Sequence, residues 1–415
     1  MKEKLYTLTN QYKIYIVFFI IALFIHMFLP LSWADDAVFM KKVAEADILS
    51  FLNGSARPFT DGMTYILIKN QWLWRILNPL ILTFLSLSII KTAPIMPDKK
   101  SIILVCASIT FPTMIMVDAG FVATTVNYLW AVTFGLLNLL PLVNSYYGRK
   151  NNMVILALLI PLLIYSTNMQ QMCAVLLAVF LFANIYFIAK KTFKPYLILQ
   201  FAITLLGTLS SLSLNFTGDN SRFVRESGRY FPDFDKLNIF EKTELGFSST
   251  FYCMTMETRF AFAGFIVFAS FLAVMCFKKK KSILIKALSC VPVVYSLVFG
   301  VASLFTESSI AGDLKHFRMT KAFYSFEPVV DIIFIIILVV LMFCIWNLLE
   351  DMGQKLFAES AFLLGLGSRM LMGFSPTVWA SGYRTFCIMF ISFIYIALIV
   401  LNQNKKTKSL MIKFK

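Results

Sequence analysis

The chain has 415 residues, of which 59% are hydrophobic and 14% charged, and its formal net charge is +16. Soluble domains average about 25% charged residues, so lipid must solvate much of this apolar surface. The basic residues form short clusters between apolar runs, which indicates a membrane topology signal rather than nucleic-acid binding. Seven scattered Cys without a CxxC pair and only two His predict neither a disulfide framework nor a metal site, and no cofactor is expected.

Apolar runs predict an all-α, polytopic transmembrane bundle of about twelve spans, forming a single membrane domain over residues 1–415. Basic clusters fall in alternate connections, so the positive-inside rule places both termini in the cytoplasm. The first apolar run ends without a small-residue cleavage site, so it is expected to remain as a span. The predicted spans are 14–33, 72–90, 101–118, 122–147, 153–167, 171–189, 195–214, 258–277, 282–305, 328–349, 356–374 and 380–401.

The longest connections are predicted on the external side of the membrane, at residues 34–71, 215–257 and 306–327. Long loops without regular structure are usually functional or disordered. Residues 36–52 have apolar side chains at near-helical spacing, which predicts an amphipathic helix on the membrane surface. A second helix is expected over 60–72, after the break at Arg57-Pro58.

Asp35 and Asp36 follow the first predicted span directly. Desolvation and mutual repulsion of adjacent carboxylates at a membrane rim would raise one pKa, and such a group can take the proton of an acceptor hydroxyl. The alternative is structural, since Asp is a favoured N-cap and either residue would suit the start of the surface helix.

The 215–257 connection contains a polar stretch with a turn-forming glycine and two arginines. Asn220, Arg222 and Arg225 lie in it, and arginine can bind phosphate oxygens bidentately. The alternative is a polar loop docked on the first external loop by Arg–Asp pairs.

Other polar residues recur near span ends on the same predicted side. Asn127 and Tyr128 open the fourth span, and Asn168 and Gln171 lie between the fifth and sixth. Arginines at membrane depth usually face a cavity or partner, which makes two further residues candidates for an anionic headgroup; interfacial snorkelling is the alternative. These two residues are Arg369 and Arg384.

In their order along the chain, these motifs resemble an uncharacterised bacterial family of polytopic, glucosyltransferase-like proteins. That family is similar to the GT-C superfamily of membrane glycosyltransferases. The resemblance covers about residues 30 to 390, and each motif alone is weakly specific. The matching motifs are Asp35-Asp36, Ala56-Arg57-Pro58, Gly120, Thr124 to Trp130, Asn168 to Gln171, Gly218 to Arg222, Ser375-Pro376 and Ser381 to Thr385.

The resemblance implies an enzyme of the bacterial cytoplasmic membrane with an external active site. It would transfer a sugar from a polyprenyl-phosphate carrier to a cell-surface polysaccharide, teichoic-acid-type polymer or lipid, in an inverting, metal-independent reaction. Asp35 or Asp36 would be the general base, and Arg222, Arg369 and Arg384 would hold the phosphate. Gln170 stands where relatives carry a Glu, which puts any catalytic role there in doubt.

Two other functions fit the same sequence. A polysaccharide polymerase would use a pyrophosphate-linked donor with a similar number of spans. A lipid-linked-sugar flippase or transporter would move its substrate without chemistry, although the halves show no internal repeat and the polar residues gather at one rim rather than at the midplane.

Overall fold

The computed structural model describes residues 2–110, 119–216, 222–257, 259–305 and 328–403. Every regular element in these ranges is helical. The helices up to the middle of the chain are α1 Lys2–Phe28, α2 Ala34–Glu45, α3 Ile48–Leu52, α4 Pro58–Lys69, α5 Gln71–Thr92, α6 Lys99–Ser108, α7 Phe121–Tyr146, α8 Met153–Ser166, α9 Gln170–Ala189 and α10 Pro195–Phe216. The remaining helices are α11 Arg222–Tyr230, α12 Ile239–Thr255, α13 Phe260–Lys278, α14 Ile283–Phe305, α15 Pro328–Leu348, α16 Met352–Met370 and α17 Cys387–Asn402.

Eight helical segments in the described residues are long and apolar enough to cross a membrane. They coincide with or overlap α5, α7, α9, α10, α13, α14, α15 and α17, and α1 and α8 contribute shorter apolar stretches. The predicted all-helical architecture is therefore confirmed for these residues, and the eight candidate spans support a polytopic bundle; the count of twelve and the GT-C-like fold stay predictions. The predicted span 356–374 corresponds to α16, which carries Lys355, Glu359 and Arg369 and is not one of the eight. Part of the predicted span 101–118 lies outside the described residues.

The chain divides into two compact units, one running up to Arg222 and the other from Phe223 to Asn404. The expectation of a single membrane domain stays a prediction. In the first unit, α7 is central, because α2, α4, α5, α8 and α9 all pack against it. A buried polar network joins three of the apolar helices here. His26 Nδ1 donates to Ala22 O (2.7 Å), so its Nε2 accepts from Asn78 Nδ2 (2.8 Å), and Asn78 Oδ1 accepts from Trp130 Nε1 (2.8 Å).

The segment between α1 and α5 is helical, as predicted, but the first predicted helix is broken. The backbone is extended at Ala46 and Asp47, and the Asp47 carboxylate accepts a hydrogen bond from Ser50 N (2.7 Å). Asp47 is therefore the N-cap of a new helix, α3, rather than an interior residue of one long helix. The break lets α2 and α3 both contact α4.

In the second unit, α12 lies inside the fold, although residues 215–257 were predicted as a loop. A capping box of Asn238 and Glu241 begins this helix. Its Gly246 meets the turn 371–374 so closely that a Cβ would overlap Met370 O, and a Cβ at Gly373 would overlap Lys242 O. Small residues on both sides permit this backbone contact. The predicted 306–327 loop lies outside the described residues.

Candidate functional site

Asp36 joins the segment between α1 and α5 to the beginning of α7. Its side chain is fully buried, and its two carboxylate oxygens accept from Val122 N (2.9 Å) and Ala123 N (2.8 Å). The first N–H groups of a helix have no acceptor within the helix, and the helix dipole favours a negative charge there. Asp36 is therefore a cap supplied to α7 from another helix.

This arrangement differs from the structural interpretation of the acid pair, whereas the general-base interpretation stays a prediction. The N-cap residue of α2 is Trp33, which makes no side-chain capping bond, so neither aspartate caps the surface helix on which it lies. Both carboxylate oxygens of Asp36 accept hydrogen bonds from backbone N–H groups, so they do not both point into an open site. Asp35, one residue earlier, is half-buried.

Burial raises the pKa of Asp36 from its usual value of 3.8 to about 6. The backbone N–H groups of Ala123, Val122 and Phe121 oppose this shift, and the charge of Asp35 adds to it. The desolvation cost of the charged form thus exceeds what the helix N-terminus returns. In the folded protein, this carboxyl group therefore gains or loses its proton around pH 6.

The first turns of α7 contain a π-helical segment, Thr125–Trp130. Such insertions often mark functional sites, because they displace side chains from the regular helical register. The Asn127 side chain is 92% buried; its Nδ2 donates to Ala123 O (2.7 Å), but its Oδ1 has no hydrogen-bond partner among the described residues. The buried Thr124 Oγ1 likewise makes no hydrogen bond there. Both atoms have capacity for a ligand hydroxyl or water.

Arg57 precedes α4 and lies next to the π-helical segment. Its Cζ is 6.0 Å from the centre of the Tyr128 ring. Its Nε is buried without an acceptor in the part of the chain that the structure describes, and no carboxylate there forms an ion pair with it. The nearby Asp61 accepts from Ser55 Oγ (2.5 Å) instead. Arg57 is thus a cation held on an aromatic ring, with donors available for an anion.

Asn168 and Gln171 flank the start of α9. Asn168 Oδ1 accepts from Phe59 N (3.0 Å), and its Nδ2 donates to Ile164 O (3.3 Å), so this side chain fastens the α8–α9 connection to the beginning of α4. Gln171 is buried in the first turn of α9. For Asn168, the geometry shows a positioning role.

Six of the predicted residues therefore lie on segments that pack together in the first unit. They stand on four segments, α2, the start of α4, the start of α7 and the α8–α9 connection, and α4 contacts both α2 and α7. We call this group the acidic-end cluster. Its members are Asp35, Asp36, Arg57, Asn127 and Tyr128, with Asn168 fastened to it through Phe59.

The other predicted residues are distributed differently. Arg225 is exposed on α11, which begins at Arg222, and Asn220 lies outside the described residues. Arg369 is 1% exposed; its Nη2 donates to Val378 O (3.2 Å), and its Cζ is 4.8 Å from the Phe386 ring centre. Snorkelling is therefore wrong for Arg369. Arg384 is half-buried and lies two residues before Phe386 in the sequence.

Two residues that matter to this cluster received no role from sequence reasoning. Gly120 has φ +95°, and a Cβ there would lie 2.9 Å from Asp36 N and 3.0 Å from Asp36 Cγ. Thr124 was noted only as part of a motif. A glycine directly before a long apolar run was the available signal, because helices often begin after a residue with unusual backbone angles.

The described residues define a multi-pass helical membrane protein with a polar cluster at one end of a membrane helix. Within these ranges, no three His, Cys, Asp or Glu side chains come together as metal ligands would. No protein-family model, curated protein or solved structure matches the chain.

Proposed function

We propose that the protein is a membrane glycosyltransferase of the GT-C type. It moves a sugar from a polyprenyl-phosphate carrier to a hydroxyl of a cell-surface polysaccharide, teichoic-acid-type polymer or lipid, on the outer face of a bacterial cytoplasmic membrane. The support comes from the acidic-end cluster. It combines an acid pair, a cation without an ion pair among the described residues, and buried polar atoms without partners, on helices of a membrane bundle.

The observation that carries this proposal is the surroundings of Arg57. A guanidinium on the Tyr128 ring with a buried Nε that lacks an acceptor is suited to a phosphate oxygen. The Asn127 Oδ1 and Thr124 Oγ1 atoms in neighbouring α7 are suited to sugar hydroxyls. A ligand that contains both groups is a sugar phosphate.

Within this proposal, the two aspartates have different roles. Asp36 is a positioning residue, because backbone donors of α7 occupy both of its oxygens. Asp35 is the general base that accepts the proton of the acceptor hydroxyl. The acceptor oxygen attacks the anomeric carbon in line, a glycosidic bond forms, and the bond from that carbon to the phosphate oxygen breaks.

Arg57 binds the departing polyprenyl phosphate, whose negative charge grows as the bond breaks. Arg222, Arg225, Arg369 and Arg384 stay predicted phosphate ligands, and Gln171 and Asn220 stay predicted substrate-binding residues. Both ends of the Asn168 amide are hydrogen-bonded within the protein, so Asn168 acts as a positioning residue in this proposal. Because arginine can neutralise a monophosphate leaving group, the proposed mechanism uses no metal ion or cofactor.

The test uses the purified full chain in nanodiscs with synthetic polyprenyl-phosphate sugars, and it follows release of polyprenyl phosphate. Asp35→Asn is expected to lower the rate at least about a hundredfold, because general-base catalysis contributes roughly 10²- to 10⁴-fold. Glu45→Gln is the matched control, since it makes the same carboxylate-to-amide change at an exposed position of α2. Equal rates in both variants would contradict the role of Asp35.

Arg57→Gln is expected to weaken donor use about ten- to a hundredfold, the value of one hydrogen bond to a charged group. Arg149→Gln, near the opposite end of α7, is its control. Turnover of pyrophosphate-linked donors alone would favour the polymerase. Movement of labelled lipid between leaflets without release from any donor would establish the flippase instead.

A further inference from the structure

An apolar groove lies beside the acidic-end cluster, at the junction of α4, α8 and α10. Its volume is about 300 Å³, at the lower end of the range for ligand sites. We call it the α8–α10 groove. Its lining residues are Ala56, Pro58, Phe59, Ile164, Thr167, Asn168, Ile203, Leu206, Gly207, Ser210, Ser211 and Leu214.

The groove faces outward from the bundle. Only 22% of the most apolar stretch of α10 is buried, and Leu206 and Leu214 are 66% and 44% exposed. On the opposite wall, Phe59 is 54% exposed. In a protein embedded in a bilayer, such surfaces contact hydrocarbon rather than water. The groove is thus a channel along the lipid-facing surface.

Two polar side chains of the groove are already engaged within the protein. Thr167 Oγ1 donates to Ile164 O (2.7 Å), and both ends of the Asn168 amide are hydrogen-bonded. The groove therefore suits a hydrocarbon chain better than a polar molecule, because an apolar chain leaves none of these groups unsatisfied.

A positively charged residue stands between two lining residues of the groove, and this charge indicates what such a chain must carry. Ala56 and Pro58, which line the groove, stand on either side of Arg57 in the sequence. The Arg57 guanidinium has no ion pair among the described residues. An anionic headgroup joined to the chain would complement this charge.

From this juxtaposition we infer that the α8–α10 groove binds the hydrocarbon chain of a polyprenyl phosphate, with the phosphate at Arg57. The inference rests on the proposed function for the choice of this lipid over a bulk phospholipid. It adds to the proposed function a route of entry, in which the lipid carrier reaches the acidic-end cluster from the bilayer, along α10.

The experiment uses the full chain in phosphatidylcholine nanodiscs with a photoactivatable polyprenyl phosphate, and cross-linked peptides are identified by mass spectrometry. We expect cross-links within 164–168 and 203–214. Ser210→Trp, which fills the groove, is expected to lower labelling about tenfold. Leu209→Trp is the matched control, since Leu209 is 55% exposed on the same helix and does not line the groove.

A second arm tests the charge. Wild type should prefer polyprenyl phosphate over polyprenol, and Arg57→Gln should lose that preference while labelling the same peptides. Cross-links elsewhere, or equal labelling of wild type and Ser210→Trp, would overturn the inference. So would equal competition by excess phosphatidylglycerol, because the groove would then hold any anionic lipid.

The outcomes separate this inference from the proposed function. Specific labelling without sugar transfer from any donor would support lipid binding in the groove and contradict the proposed glycosyltransferase activity. Normal sugar transfer by Ser210→Trp would contradict lipid binding in the groove and leave the proposed glycosyltransferase activity standing.

Discussion

Asp36 and Gly120 are in direct contact: a Cβ on Gly120 would lie 2.9 Å from the Asp36 backbone nitrogen and 3.0 Å from its Cγ. Gly120 also has φ +95°, a conformation that L residues rarely adopt. The cap on α7 therefore depends on the absence of a side chain at residue 120 as much as on the carboxylate that reaches it.

Gly120→Ala should lower the stability of the detergent-solubilised protein by roughly 2–5 kcal/mol, because it adds overlap with Asp36 to backbone strain. The measurement is the apparent Tm by thermal unfolding. Gly148→Ala is the matched control, since Gly148 has φ +65° with open space around it, and strain alone should cost about 1–2 kcal/mol. Equal losses would mean that the start of α7 adjusts to the added methyl group.

The stability contribution of Asp36 should depend on pH. Because burial raises its pKa to about 6 from 3.8, the folded protein retains a proton that the unfolded chain releases in this interval. The contribution is fully present below about pH 4 and is lost as pH rises through about 6. The stability of wild type relative to Asp36→Asn should thus decline from pH 4 to pH 7 and stay level above it.

This comparison has a second component that does not depend on pH. An amide presents only one acceptor oxygen to Val122 N and Ala123 N, so Asp36→Asn leaves one buried donor unsatisfied at a cost of about 1–3 kcal/mol. Chemical unfolding at several pH values measures both components. Parallel profiles for the two proteins would show that Asp36 keeps an ordinary pKa.

The backbone contact between Gly246 and the turn 371–374 predicts a strong effect of an added methyl group. Gly246→Ala and Gly373→Ala should each cost roughly 1–3 kcal/mol or more, because the overlap is with backbone atoms that cannot rotate away. Gly367→Ala is the control, as a Cβ there meets nothing within 4 Å and alanine favours a helix. Unchanged Tm values for the first two variants would contradict the close packing.

Arg369 is predicted to be important for folding. Arg369→Met should lose the hydrogen bond to Val378 O and the cation–π contact with Phe386, together about 1–3 kcal/mol. Arg369→Lys keeps the charge but not the planar group, and it should fall between wild type and Arg369→Met. Arg225→Met on exposed α11 should change stability by less than about 0.5 kcal/mol. If Arg369→Met had the wild-type Tm, Arg369 would not stabilise the fold, and only its predicted phosphate-binding role would remain.

The sequence predicted the helical membrane architecture well, because long apolar runs allow few other structures. It also placed Asp36, Arg57 and Asn127 on one predicted side of the membrane, through the motifs that resemble a glycosyltransferase-like family. It did not predict that Asp36 binds α7, since capping between distant helices leaves no local spacing pattern. The burial of α12 was missed for a similar reason: its apolar face is too short and mixed to resemble a span, and Gly246 shows its function only beside Gly373.

The hydrogen bonds of Asp36 also impose an order on the assembly of the protein. They join residues 86 and 87 positions apart, so α7 emerges during synthesis well after its capping residue. Until the two segments meet, the first N–H groups of α7 must find other partners at the membrane surface. Closing so long a loop carries an entropic cost before any contact repays it. Docking of α2 on α7 should therefore be a late step, after insertion of α5, and a nascent chain ending before Phe121 should retain Asp36 in a site accessible to water.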